Sequence, residues 1–274
     1  MAKKERLDVL LVEKGLFETR EKAKRAIMAG LVFADEERVD KAGTKIDTAA
    51  IIEVKGSALR YVGRGGLKLE KAIEVFKLEL NDVIAIDIGS STGGFTDCML
   101  QNGASKVYAV DVGYNQLAWK LRQDDRVVVM ERTNFRYCEP ADFYEGLPSF
   151  ASVDVSFISL KIILPVLKQI LIPNGQVVAL VKPQFEAGRE DVGKKGIVRD
   201  PKIHKRVLDE IMAFTIESGY TIKNLSHSPI TGGDGNIEFL MHLQSEEQPL
   251  NLFNQSTEEV VEIAHNSLKQ IKKG

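Results

Sequence analysis

The 274-residue chain has only two cysteines, Cys98 and Cys138, one tryptophan and four histidines. Neither cysteine belongs to a CxxC pair or has histidines clustered beside it. A disulfide-stapled framework is therefore excluded, and no structural metal is expected. No apolar run approaches the ~20 residues needed to cross a bilayer, so no membrane partner is expected. The opening stretch MAKKERLDVLLVEKG is broken by Asp8 and Glu13, which argues against a secretory leader and for a cytoplasmic protein. A dominant charge of one sign is missing as well, since 37 Lys+Arg face 39 Asp+Glu for a formal charge of -2. Bulk charge thus does not announce a nucleic-acid binder, and the placement of charge matters more.

Hydrophobic residues make up 44% of the chain, ample material for a core. Residues 1–66 hold 14 Lys+Arg against 11 Asp+Glu, so this part is mildly basic and the rest acidic. Leu7, Leu10 and Leu11 share one helical face that stops at Gly15. Thr19 suits the N-cap of a second helix, whose stripe of Ala23, Ala26 and Ile27 ends at Gly30. Short strands follow in LVFA, RVD and IIEVKG. These features describe a small α+β unit over residues 1–58. Arg6, Arg20, Lys22, Lys24 and Arg25 crowd its helices, and Arg60 and Arg64 continue the series. Such a patch suits phosphate contacts, and the few aromatics nearby argue for backbone recognition over base stacking. Residues 59–67 are dense in glycine and arginine and read as a linker, with Gly63, Gly65 and Gly66 as a hinge ahead of Lys68.

From residue 68 to 245 strands and helices alternate, which predicts a mostly parallel seven-stranded sheet covered on both faces. The last two strands have no helix between them and suggest an antiparallel edge. Residues 246–274 read as a tail ending in an amphipathic surface helix. Near the start of the sheet, Asp87-Ile-Gly89-Ser90-Ser91-Thr92-Gly93-Gly94 follows a buried strand and opens a helix. Glycines there let the backbone turn tightly beside a ligand. The next strand ends in Asp111-Val112, and an acidic residue at that place accepts hydrogen bonds from ribose hydroxyls. The spacing is not the G-x-G-x-x-G of dinucleotide folds, and a carboxylate at Asp87 suits a cationic ligand better than a pyrophosphate. S-adenosylmethionine meets both requirements. Charged residues at strand ends, Asp154, Lys182 and Glu238, mark the ligand crevice, and Lys68 lies just before the sheet.

The stretches RLDVLLVEKGLFETREKAKRAIMAGLV, GRGGLKLEKA, DIGSSTGGFTDCML, DVSFISL, LVKPQFE and GNIEF resemble, in this order and over nearly the whole chain, the TlyA family of rRNA methyltransferases. That family has historically been labelled hemolysin, and its catalytic domain is similar to the FtsJ-type ribose methyltransferases. The resemblance implies an α/β, Rossmann-like S-adenosylmethionine-dependent methyltransferase domain behind an RNA-binding domain of the ribosomal-protein-S-four type. It implies a catalytic tetrad at Lys68, Asp154, Lys182 and Glu238. It also implies cytidine 2′-hydroxyls as targets, in ribosomal RNA of subunits or assembly intermediates. No metal is needed, because the leaving group is a sulfonium. One departure stands out: the hairpin turn often written V-N-G reads Ala34-Asp35-Glu36, and a changed turn type is expected. The fourth strand lacks the Asn-Pro-Pro of base amino-group methylation, and neither cysteine follows proline as a carbon-directed nucleophile would. Two other functions compete with methylation: a membrane-active hemolysin, and a non-catalytic ribosome-assembly factor.

Overall fold

Leucines at positions 7 and 11 cannot stay in water on a short helix, and in the N-terminal segment they close on the alanine stripe of the next helix. The computed structural model describes residues 4–17, 19–28, 30–54, 60–193, 195–232 and 235–271, without the side chains of Arg25 and of 268–271. It divides into two units, Met1–Arg60 and Tyr61–Gly274. The first unit runs β1 (Lys4–Arg6), α1 (Leu7–Glu13), α2 (Arg20–Met28), β2 (Val32–Ala34), β3 (Glu37–Arg38), β4 (Lys45–Asp47) and β5 (Ile52–Val54). Leu7, Leu11, Ala23, Ala26, Ile27 and Val32 form its core. Thr19 caps α2 as expected, its Oγ1 accepting from the Lys22 N–H at 3.3 Å. The pairing of β1 with β4 had no signal in the sequence. The expected boundary after residue 58 lies outside the described residues.

The β2–β3 turn has Asp35 and Glu36 at φ 48° and 68°, both left-handed. Two positive φ values in a two-residue loop are the mark of a type I′ turn, which Asn-Gly enters most readily. The Ala-Asp-Glu departure therefore leaves a tight hairpin in place and forces a glutamate into a disfavoured conformation. Asp35 is compensated, since its Oδ1 accepts from the Ile51 N–H at 2.9 Å.

The second unit runs α3 (Gly66–Phe76), β6 (Ile84–Ile88), α4 (Gly94–Gln101), β7 (Lys106–Val110), α5 (Trp119–Arg122), β8 (Val127–Met130), β9 (Phe150–Val153), α6 (Leu160–Ile170), β10 (Gln176–Val181), α7 (Pro183–Glu186), α8 (Pro201–Glu217), β11 (Tyr220–His227), β12 (Phe239–Ser245) and α9 (Thr257–Ile271). Seven strands form one sheet in the order β11-β12-β10-β9-β6-β7-β8. Strands β6 to β10 are parallel, and β12 is antiparallel to both of its neighbours. The expected antiparallel edge is corrected in detail: β12 lies one strand in, and the edge strand β11 runs with the parallel set. Apolar cores cover both faces, one built on α6 and α8 and the other on α3 and α4.

Two expectations change here. Residues 61–67 are not a free linker: Tyr61 is buried, and the Val62 N–H donates to Asp97 Oδ2 at 2.8 Å. Gly66 has a steric role besides. A Cβ on Gly66 would meet the Tyr61 ring at 2.5 Å, and one on Gly94 would meet the Gly66 nitrogen at 2.9 Å. These glycines allow α3 and α4 to touch at their starts. Finally, the C-terminal helix is more than a surface tail, because α9 buries Val260, Val261 and Ala264 in the core.

The turn yields a stability prediction. Glu36→Gly relieves a left-handed non-glycine residue and is expected to stabilise the N-terminal unit by about 0.5–1 kcal/mol. Chemical denaturation followed by a probe in that unit measures it, and an unchanged or lower midpoint would refute the strain.

Candidate active site

A strand that sends its chain away from both neighbours opens a crevice at its carboxyl end. Here β6 lies between β7 and β9, and the site forms there. Gly89, just past β6, has φ 88°, and a Cβ on it would meet the Asp154 carbonyl oxygen at 2.6 Å. Only glycine lets the loops after β6 and β9 close so tightly. The Asp154 N–H completes the junction by donating to the Ile88 carbonyl at 3.0 Å. Two cavities, about 310 Å³ and about 610 Å³, share Gly89, Ser91, Asp154, Ser156 and Phe157 as walls.

The larger cavity gathers Lys68 and the three strand-end charges. Lys68 Nζ lies 2.6 Å from Glu238 Oε2 and 3.4 Å from Asp154 Oδ2. Lys182 Nζ lies 2.5 Å from Asp154 Oδ1 and donates to Ser156 Oγ at 3.2 Å. Lys68 and Lys182 are each 7% exposed and Glu238 is 2% exposed. Each arrives for a structural reason. Lys68 sits in the first turn of α3, brought close by the glycine contact with α4. Asp154 and Lys182 follow parallel strands. Glu238 precedes β12, and because that strand runs backwards its start pairs with the end of β10, Phe239 facing Val181. Burial works against the Lys68 charge, yet Asp154 and Glu238 outweigh it and raise its pKa. Burial likewise opposes the Asp154 charge, and the two ammonium groups outweigh it and lower that pKa. Lys68 and Asp154 thus hold each other ionised, with Glu238 and Lys182 as their further partners.

The smaller cavity is bordered by Gly89, Ser91, Asp111 and Val112 from the anticipated cofactor set. Asp111 accepts from the Ser91 and Gly113 N–H groups, both at 2.7 Å, which fixes its carboxylate at the rim. Asp87 is a correction. Its carboxylate is fully buried and faces away from the cavities: Oδ2 accepts from the Thr96 N–H at 2.9 Å and hydroxyl at 2.7 Å, and Oδ1 from the Ser152 hydroxyl at 3.2 Å. It locks β6 to α4 and to β9 and borders neither cavity. Gly93 and Gly94 also serve packing: a Cβ on Gly93 would meet Leu117 at 2.8 Å. Ser90 is buried and Thr92 exposed, and neither borders a cavity.

Several wall residues escaped the sequence reading. Phe157 is 90% exposed at φ 63°, and its ring lies 4.9 Å from that of Phe185. Asn236 holds the cavity-lining loop, its Oδ1 accepting from Val198 N–H and its Nδ2 donating to the Gly196 carbonyl. Glu131, after β8, accepts from the N–H groups of Asn115, Gln116 and Leu117 and pairs with Arg122. It shapes the loop beside the smaller cavity, and a strand-end acid could have been flagged by the same rule that marked Asp154.

The basic residues fall in different places. Arg64 borders the larger cavity. In the N-terminal unit the buried Asp8 carboxylate binds Arg6 at 2.9 Å and Arg20 at 2.8 Å, leaving both guanidinium groups half exposed and side by side. Their hydrogen bonds hold the Asp8 pKa down at about 2 against the cost of burial. Lys24 pairs with Glu21 at 2.8 Å, Lys22 and Arg60 lie exposed, and the Arg25 side chain lies outside the described residues.

Comparison with known proteins agrees with this architecture. The family model described as FtsJ-like methyltransferase matches residues 61–245, and that of the S4 domain matches residues 5–52. A Bacillus subtilis relative named "Putative rRNA methyltransferase YqxC" is 65% identical over 99% of this chain and 98% of its own. The "16S/23S rRNA (cytidine-2'-O)-methyltransferase TlyA" of Mycobacterium tuberculosis is 40% identical over 90% and 92% of the two chains. A solved structure titled "Putative hemolysin from Streptococcus thermophilus" superposes at TM-score 0.81, with 61% identity and 100% of both chains covered. Among the described residues, no helix is long and apolar enough to cross a membrane.

Burial pushes the Asp87 pKa from its ordinary 3.8 up to about 7, against hydrogen bonds from Thr96 and Ser152 that lower it. Between those values the folded chain keeps a proton that the unfolded chain has lost, so this group costs stability as pH rises. Asp87→Asn keeps an acceptor for Thr96 and removes the charge. The stability of the variant relative to the parent is expected to grow between about pH 4 and about pH 7 and to level off above that. A difference that does not change with pH would show that Asp87 is not the titrating group.

Proposed function

The chain belongs to the FtsJ-like methyltransferase family, and on that premise we propose that it methylates the 2′-hydroxyl of a cytidine in ribosomal RNA, with S-adenosylmethionine as donor. The observation that carries this reading is the closed Lys68–Asp154–Lys182–Glu238 cluster, sharing its walls with the cavity of Gly89 and Asp111.

The smaller cavity fits the cofactor. Its volume, about 310 Å³, lies within the range of small-molecule sites. Asp111 would take the ribose hydroxyls, Gly89 lets the ligand approach the backbone, and Val112, Phe135 and Ile158 offer apolar walls for a purine. When bound, S-adenosylmethionine supplies a methyl group made electrophilic by its sulfonium.

The chain's own groups prepare the hydroxyl. Lys182 has one carboxylate partner and one hydroxyl partner, which leaves an ammonium donor for the 2′-oxygen. That donor stabilises the negative charge that develops on the oxygen as it takes the methyl group from the sulfonium, and the hydroxyl proton leaves to solvent. Asp154 spans both ammonium groups and orients Lys182. Lys68, held by Glu238, keeps Asp154 ionised and in place. Phe157 and Phe185 offer tilted apolar ring faces at the mouth, on one of which a base can lie. In the N-terminal unit, the Arg6–Asp8–Arg20 arrangement is a preformed phosphate grip.

Two experiments test the reading. Labelled methyl should pass from S-adenosylmethionine to a ribose 2′-oxygen in ribosomal subunits from cells lacking this gene, and Lys182→Ala should lower the rate by about 10²–10⁴-fold. Cofactor binding without transfer to either subunit would remove ribosomal RNA as substrate. Failure to bind the cofactor would favour the assembly-factor alternative. Separately, Arg20→Ala should weaken RNA binding and flatten its salt dependence by about one phosphate contact. The affinity for S-adenosylhomocysteine should not change, and equal RNA affinity would exclude Arg20 from the interface.

A further inference from the structure

Gln184 stands two residues beyond Lys182, in the first turn of α7, and borders the larger cavity with Lys68, Lys182 and Glu238. Its Oε1 is sealed from solvent and accepts no hydrogen bond. It is the one buried side-chain nitrogen or oxygen among the described residues of which this is true. An acceptor in that condition is costly, and native chains keep such groups rare. No hydrogen bond holds Oε1 where it rests. Turning it toward the cavity gives up no hydrogen bond, so a ligand that brings an N–H into the cavity finds an acceptor free to take it.

We propose that Gln184 binds the Watson–Crick edge of the base whose ribose is methylated, its Oε1 accepting from the exocyclic amine of cytosine. The proposal rests on the cytidine reading above. Three features favour the base over the other groups that could enter. Gln184 walls the larger cavity and not the one that holds Asp111, which sets it apart from the cofactor. The reacting hydroxyl belongs beside Lys182 and Asp154, whose polar atoms already converge. A carboxamide offers one acceptor and one donor side by side, which matches the amine and N3 of cytosine. Its neighbour Phe185 belongs to the aromatic pair at the mouth, so a base lying there would present its edge near the amide. Turned over, the same amide fits uracil. Gln184 is therefore a partner for a pyrimidine edge and not, by itself, the filter between the two pyrimidines.

A double-mutant cycle with one change in the enzyme and one in the RNA tests this. Single-turnover methylation is measured for the parent enzyme and for Gln184→Ala, each on subunits carrying cytosine or 2-pyrimidinone at the methylated position. The second base lacks only the exocyclic amine. Each single change is expected to slow transfer on the order of 10- to 100-fold, and the combination should be no slower than the slower single change. Independent, multiplying effects would overturn the proposal. An undiminished rate of the parent enzyme on 2-pyrimidinone would do the same without any variant. Gln184→Met, which keeps the length of the side chain, repeats the cycle should the alanine variant fold poorly. The affinity for S-adenosylhomocysteine should be unchanged in both variants, and its loss would reassign Gln184 to the cofactor. A parent enzyme that transfers nothing to cytosine-bearing subunits would instead overturn the cytidine reading, and this proposal with it.

Discussion

Mutual compensation of four charges, three of them buried and Asp154 partly so, is the condition on which the larger cavity rests. A carboxylate or ammonium group left alone behind the sheet edge would cost several kcal/mol. Two of each, interleaved within hydrogen-bonding distance, offset that cost. The requirement reaches well beyond the site, because the four groups come from four elements. The start of α3 must lie close to the sheet, and it does so through the contact of Gly66 with Gly94. The turn after β6 must pass under the carbonyl of Asp154, which leaves no room for a side chain at Gly89. One strand must run against the others so that its first residues stand where its neighbour's last ones do. Bland features of the fold, a glycine pair and a strand direction, are thus consequences of an electrostatic demand.

Much of this was legible in the sequence, and the failures have a common cause. Alternating strands and helices predicted the sheet, and charged residues at strand ends marked Asp154, Lys182 and Glu238 as a group. Lys68 lies on a helix ahead of the sheet, and only resemblance to known sequences connected it with them. Asp87 was misread because it sits inside β6 and not beyond its end. The period of the strand turns its side chain toward α4, and its register partner on β9 is Ser152, which donates to it. The glycines were taken as a ligand cradle or a hinge. For Gly93, Gly94 and Gly66 the decisive neighbours are distant in sequence, so no local pattern could announce a packing role. Asn236 and Gln184 lie within the GNIEF and LVKPQFE stretches, but neither is a charge at a strand end, and only the cavity shows what they border.

The N-terminal unit shows the same economy with charge. Its helices carry more basic residues than acidic ones, but the useful feature is a single acid beneath them. Asp8 is buried and binds two guanidinium groups, one from the start of each helix. Pairing by an internal carboxylate leaves part of each guanidinium facing water with its orientation fixed. A count of charges would treat Asp8 as a deduction from the basic patch, whereas the structure makes it the organiser of that patch.

The backward course of β12 also bears on the order in which the protein is made. The glycine turn, Asp111, Lys68, Asp154 and Lys182 all leave the ribosome before Glu238, and β12 is then inserted between β10 and β11, two strands already synthesised. Until it is added, Lys68 lacks its nearer carboxylate, and the sheet is missing the strand that joins its edge to its centre. A chain truncated ahead of residue 238 would hold every residue that lines the smaller cavity and still lack the carboxylate that stands nearest Lys68.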